Sequence, residues 1–159
     1  MSTFETVIIK NDIIMEQIII SLKEKYFEQI RRGEKHFEYR KSFKNFKGKV
    51  KAYIYVSKPV AKVYSYVILN EGIYDSIPNI LKEVVSKDQA DMLDEIREYL
   101  KGPKNNKKFG IALPIVEFKE FKPQNLSYLQ KRFGFQPSPT WIEEREYPEL
   151  FRYLDNISQ

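Results

Sequence analysis

Two adjacent segments, Val50 to Ser57 and Lys62 to Leu69, restrict the fold more than any other part of the chain, because each reads as a β-strand without a polar face. In the first, Tyr53, Tyr55 and Ser57 alternate with Ala52, Ile54 and Val56; in the second, Val63, Ser65 and Val67 alternate with Tyr64, Tyr66 and Ile68. A strand with one wet face alternates apolar and polar residues. Strands apolar or aromatic on both faces need cover on both, which a small curled sheet with helices packed outside supplies. The chain has 159 residues and no cysteine, enough to bury a core without disulfides. The expected architecture is α+β, a small β-barrel of about five to six strands with helices around it.

Upstream, Ile18 to Lys41 packs four signals into two dozen residues. Ile18, Ile19, Ile20 and Leu22 read as a buried strand. From Glu24, Tyr26, Phe27 and Ile30 recur at helical spacing while charged residues fill the opposite face. Arg31 and Arg32 suit the negative end of that helix, and Gly33 supplies its stop. The pattern then changes to period two: Phe37 and Tyr39 point one way, and His36, Glu38 and Arg40 the other.

The rest of the chain reads in sequence. Lys41, Lys44, Lys47 and Lys49 are interleaved with Phe43 and Phe46, the arrangement of cations and rings that single-stranded nucleic acid needs. The two rings equally suit the end cover of a small barrel. Ile73 to Lys101 reads as a pair of helices broken near Ser86, with Asp88 and Asp91 in the first turn of the second. Gly102 to Lys108 is a basic turn, Phe109 to Phe118 a strand that Pro114 marks as an edge, a bulge or a break, and Leu126 to Phe133 a short helix. Gly134 to Thr140 is loop, and Trp141 onward, with Tyr147, Leu150, Phe151 and Leu154, reads as a terminal helical segment. Charge is sorted along the chain: Lys23 to Lys51 carries 11 basic against 4 acidic residues, whereas Glu71 to Lys101 carries 4 basic against 8 acidic. A basic half beside an acidic one points to a surface that attracts phosphates.

The order strand, S-x-K, helix, G-x-K-x-x-E-x-R strand, formed by Ser21, Lys23, Gly33, Lys35, Glu38 and Arg40, resembles the ASCH family of the PUA-like superfamily. Tyr53 to Pro59 is similar to the strand that follows in that family. The resemblance begins near Met15, implying a single PUA-like domain over 15–159 with a helical insertion near 73–101. Residues 1–14 are then an N-terminal extension: an added edge strand, a disordered arm, or sequence upstream of a natural start at Met15. PUA-like domains are regarded as binders of RNA or modified bases, so the resemblance implies a pocket where the motif strand meets its neighbours. Lys23, Lys35, Glu38, Arg40, Tyr55 and Ser57 are its candidate ligand-binding residues, with Lys41, Lys44, Lys47 and Lys49 as the nucleic-acid patch.

Three functional classes follow. The first is a binder of RNA, of single-stranded nucleic acid or of a modified nucleoside. The second is a small amidohydrolase acting on N4-acetylcytidine-like nucleosides, in which Lys35 and Glu38 would be catalytic; the ASCH-like hydrolases carry a threonine where this chain has Glu38. The third is a protein-interaction module that uses the acidic helices. With no cysteine and one histidine, neither a Cys-based nor a His-rich metal site can form, so no cofactor is expected. No signal peptide or membrane span is legible, and a cytoplasmic protein is the expectation.

Overall fold

The computed structural model describes residues 15–85 and 92–159. The expectations for 1–14 and for Asp88 and Asp91 lie outside the described residues. The elements are β1 (Glu16–Leu22), α1 (Glu24–Arg31), β2 (Phe37–Arg40), β3 (Lys49–Val56), β4 (Lys62–Asn70), β5 (Ile73–Ser76), α2 (Ile77–Val85), α3 (Leu93–Lys101), β6 (Phe109–Asn125), α4 (Leu126–Phe133), β7 (Trp141–Glu143) and α5 (Pro148–Ile157). The seven described strands form one mixed sheet in the order β2-β6-β4-β3-β1-β7, with β5 also on β6. β1 and β3 run parallel and the other pairs are antiparallel. The sheet curls into a half-barrel with helices outside it, the α+β architecture expected.

The two-faced strands account for the cover on both sides of the sheet. On one face, Ile18, Ile20 and Leu22 of β1 meet Val50, Ala52, Ile54 and Val56 of β3 beneath Phe27 and Ile30 of α1. On the other, Ile19, Tyr53 and Tyr55 pack with Leu129 of α4 and with Leu150, Phe151 and Leu154 of α5. A third cluster places Ile80 and Val84 of α2 and Ile96 and Leu100 of α3 against Phe37, Tyr39 and Ala112. Each fully buried aliphatic or aromatic side chain contributes roughly 1.5–3 kcal/mol relative to exposure.

Several boundaries differ from the sequence expectation. Ile73 to Ser76 is a strand rather than the start of a helix, because after Glu71 and Gly72 the chain stays in line with β4 and bonds to β6 through Ile73↔Ala112 and Ser76↔Phe109. Trp141 lies in a strand opposite Ile20 rather than in the terminal helix, which begins at Pro148. The strand begun at Phe109 runs on to Asn125, changing partners near Pro114: β2 and β5 take its first part and β4 the rest. Pro114 precedes a register shift at Val116, so its missing N–H falls where the pairing changes. In β4 a bulge at Tyr64 breaks the expected alternation, leaving Val63 and Val67 on opposite faces and burying Ser65.

Gly33 ends α1 at φ 74°, and the next two amides, of Glu34 and Lys35, both donate to the Gln29 carbonyl at 2.9 and 3.1 Å. That turn aims Lys35 back under α1. A side chain at Gly33 would meet nothing within 4 Å. Gly33→Ala should therefore cost only the left-handed backbone penalty of about 1 kcal/mol. Phe27→Ala, which empties the fully buried ring site beside Tyr64 and Phe118, should cost about 3–5 kcal/mol. Urea denaturation of the two variants checks the contrast; equal losses would contradict it.

Candidate functional site

The half-barrel is open between its terminal strands β2 and β7, and the candidate site lies at that seam. β1 and β3 run parallel with Leu22 opposite Val56, so both end at the same rim. Lys23 and Ser57 emerge there, joined by the Ser57 amide donating to the Leu22 carbonyl at 2.9 Å. β2 enters from the other side, held to β6 through Glu38↔Leu113 and Arg40↔Ile111. Between them is a cavity of about 310 Å³.

Its floor is a buried ion cluster. Lys35 Nζ donates to Glu38 Oε1 at 3.0 Å, and Arg40 Nε donates to Glu38 Oε2 at 2.8 Å. The Glu38 residue is 3% exposed, and Lys35 and Arg40 are also buried. Arg40 reaches further, to the Thr140 carbonyl at 3.3 Å and the Ser21 carbonyl at 3.5 Å. One guanidinium thus ties β2 to β1 and to the residue before β7, across a gap that no backbone ladder closes. Phe43 against Trp141, 5.6 Å between ring centroids, packs the same seam.

The walls are aromatic. The Lys35 ammonium lies 5.1 Å from the Tyr26 ring centroid and 5.6 Å from that of Tyr39, a sandwich that favours the cation. From α3 come Glu95, Ile96 and Tyr99, with Met92 just before its first residue. Burial, with the Glu95 carboxylate alongside, pushes the Tyr26 hydroxyl up to about 12, so it remains a neutral donor across the physiological range. Burial alone would raise the Glu38 pKa, but the charges of Lys35 and Arg40 and the hydrogen bonds they donate outweigh it and hold the carboxyl below its ordinary range. Glu38 is an ionised acceptor that takes one side-chain hydrogen bond on each oxygen among the described residues, of about four lone-pair sites.

Lys23, Lys35, Glu38, Arg40 and Ser57 all line the cavity. Tyr55 does not: it is buried in the second core cluster, 6.1 Å from Phe135 between ring centroids. Of the lysine patch, Lys41, Lys47 and Lys49 are exposed, whereas Lys44 is paired with Glu16 and Glu143. Sequence reasoning did not reach Tyr26, Glu95, Tyr99 and Pro139, which also line the cavity. The first reads as part of the apolar helix face, and the others belong to segments distant in sequence; the recurrence of 92, 95, 96 and 99 on one helical face was the available signal. Among the described residues, no group of three His, Asp or Glu is placed to hold a metal ion, and no helix is long and apolar enough to cross a membrane.

Because the folded-state pKa of Glu38 lies below its ordinary value of 4.5, its stabilising contribution is complete above that value and is lost as pH falls through the lower folded value. Melting temperature followed downward from pH 6 should therefore drop below about pH 4.5 more steeply for the wild type than for Glu38→Gln. At neutral pH, Glu38→Gln should be less stable by about 3–5 kcal/mol, because it leaves two buried cations without a counter-charge. Parallel pH profiles for the two proteins would contradict the assignment.

No protein-family model matches the sequence, and no curated protein matches it at a significant level. Solved structures do match. The crystal structure of ASCH from Zymomonas mobilis superposes with a TM-score of 0.76 at 20% identity, covering 91% of this chain and 96% of that chain. A tyrosine-to-phenylalanine variant of the same protein gives 0.76 at 19% identity, covering 91% and 99%, and a serine-to-alanine variant gives 0.75 at 20%, covering 91% and 97%. At such identity the shared property is the backbone architecture, and the chain accordingly has the ASCH-type, PUA-like fold that its G-x-K-x-x-E-x-R strand resembles.

Proposed function

We propose that the cavity binds a nucleobase bearing an exocyclic amino group, presented by RNA, by single-stranded nucleic acid or as a modified nucleoside. One observation carries this reading: an ionised carboxylate, Glu38, lies at the floor of a tyrosine-walled cavity with acceptor capacity to spare. A carboxylate accepts from an amino edge such as that of cytosine N4, whereas the carbonyl at the same position of uracil would repel it. Tyr26, Tyr39 and Tyr99 supply rings for stacking, and Lys23 and Lys41 at the rim supply charges for phosphate. The volume falls at the lower end of the range for small-molecule sites.

Hydrolysis of an N4-acyl group is less well supported by the same geometry. A general base works best with a pKa near the operating pH, and Glu38 is held in the opposite direction by two cations. The threonine of the hydrolase-like motif is replaced by Glu38 itself.

Titration calorimetry should find cytidine bound at least about tenfold more tightly than uridine, the discrimination expected of one specific base-edge contact. Glu38→Gln should erase that ratio, since an amide offers both a donor and an acceptor. Equal affinities for the two nucleosides in the wild type would refute the reading.

Labelled RNA should bind with a steep salt dependence, and Lys23→Glu or Lys41→Glu at the rim should weaken it. Tyr99→Ala, which alters only an exposed cavity wall, should weaken cytidine binding by roughly fivefold or more through lost stacking while the melting temperature stays near that of the wild type. Acetate release from N4-acetylcytidine by the purified protein would favour the hydrolase instead.

A further inference from the structure

The α3 helix contributes to two concavities. It presents Glu95, Ile96 and Tyr99 to the cavity, while Leu93, Arg97 and Lys101, spaced four apart, face a wider groove of about 750 Å³. The groove has an apolar lining from Ile77, Leu81 and Leu93 and carries Lys82, Lys101, Lys107 and Lys108. None of the described residues lining it is acidic. Arg97 is neutralised by Asp94 at 2.6 Å, but the four lysines enter no ion pair among the described residues.

Beside these cations lie two exposed rings. Tyr74 on β5 is 68% exposed and Phe109 on β6 is 50% exposed; their centroids are 5.8 Å apart and their planes only 12° from parallel. Two large rings stacked in water form an apolar platform that no other described element covers. The groove also lies close to the cavity rim. A carbon built on Gly102 would lie 3.6 Å from the Lys107 side chain and 3.8 Å from that of Lys41, and the Lys41 ammonium sits 5.1 Å from the centroid of the cavity ring Tyr99.

We propose that this groove is the track of a single-stranded polynucleotide whose terminal base occupies the cavity. Lys41, Lys101, Lys107 and Lys108 meet successive phosphates, and the Tyr74 and Phe109 platform receives a further base. The inference rests on the cavity reading for the first base, while the groove contacts stand on their own chemistry. An acidic peptide would satisfy the lysines and leave the parallel rings without a partner; a polynucleotide engages both.

The experiment measures anisotropy of a labelled 12-nucleotide single-stranded RNA, with calorimetry of cytidine in parallel. The triple variant Lys101→Glu, Lys107→Glu, Lys108→Glu should lower RNA affinity at least tenfold and flatten the log-affinity against log-salt slope by about 2. The double variant Tyr74→Ala, Phe109→Ala should lower RNA affinity about tenfold with the slope unchanged. Both should bind cytidine as the wild type does, since neither touches the cavity. Wild-type RNA affinity in both variants overturns the proposal, as does an Asp/Glu decapeptide that binds as tightly as the RNA and is indifferent to loss of the rings. Groove-dependent RNA binding by a protein that takes up no cytidine supports the track and overturns the cavity reading alone.

Discussion

The structure depends on Arg40. The curled sheet leaves its terminal strands β2 and β7 without ladder bonds to each other, and a buried guanidinium bridges that opening by donating to Glu38 within β2 and to the carbonyls of Ser21 and Thr140 across it. Arginine suits this position because its planar donors can face three directions while staying charged. Lysine could supply the charge but not the span. The cavity exists because this seam is closed by side chains, which leave space, rather than by backbone pairing, which would not.

A buried ion cluster is a poor source of stability, since the cost of desolvating its charges offsets most of their attraction. An apolar trio would fill the floor of the cavity at similar free energy. What the Lys35, Glu38 and Arg40 arrangement provides instead is a carboxylate kept ionised in a place where burial alone would neutralise it. Each cation is itself held, Lys35 between the rings of Tyr26 and Tyr39 and Arg40 by backbone carbonyls and the Phe43 ring 5.8 Å away. The negative charge is therefore fixed in position as well as in protonation state, as selective recognition of a donor edge demands.

The α3 helix lies between the cavity and the groove. Its buried residues Ile96 and Leu100 anchor it on Phe37, Tyr39 and Ala112, near the strand that bears the ion cluster. Gly110 permits that approach: a carbon there would meet the Leu100 side chain at 2.8 Å. Docked so closely, the helix walls the cavity with one face and the lysine-bearing groove with another.

The sequence by itself determined the kinds of element and the chemistry of the motif strand. The two-faced strands demanded a sheet covered on both sides, helical spacing and Gly33 delimited α1, and the period-two pattern placed Glu38 and Arg40 on one face, all of which depends on residues near one another in the chain. Long-range pairing decided the rest. Ile73 to Ser76 became a strand because β6 offered an edge in line with β4; Trp141 became one because β1 did. The bulge at Tyr64 overrode the alternation that local pattern implied. Tyr55, plausible by proximity to Ser57, faces the other core, whereas Tyr99 and Pro139, distant in sequence, line the cavity. Sequence periodicity specifies which side of an element is apolar, but which elements meet, and therefore which side chains share one enclosed volume, is set only when the sheet curls and the helices dock.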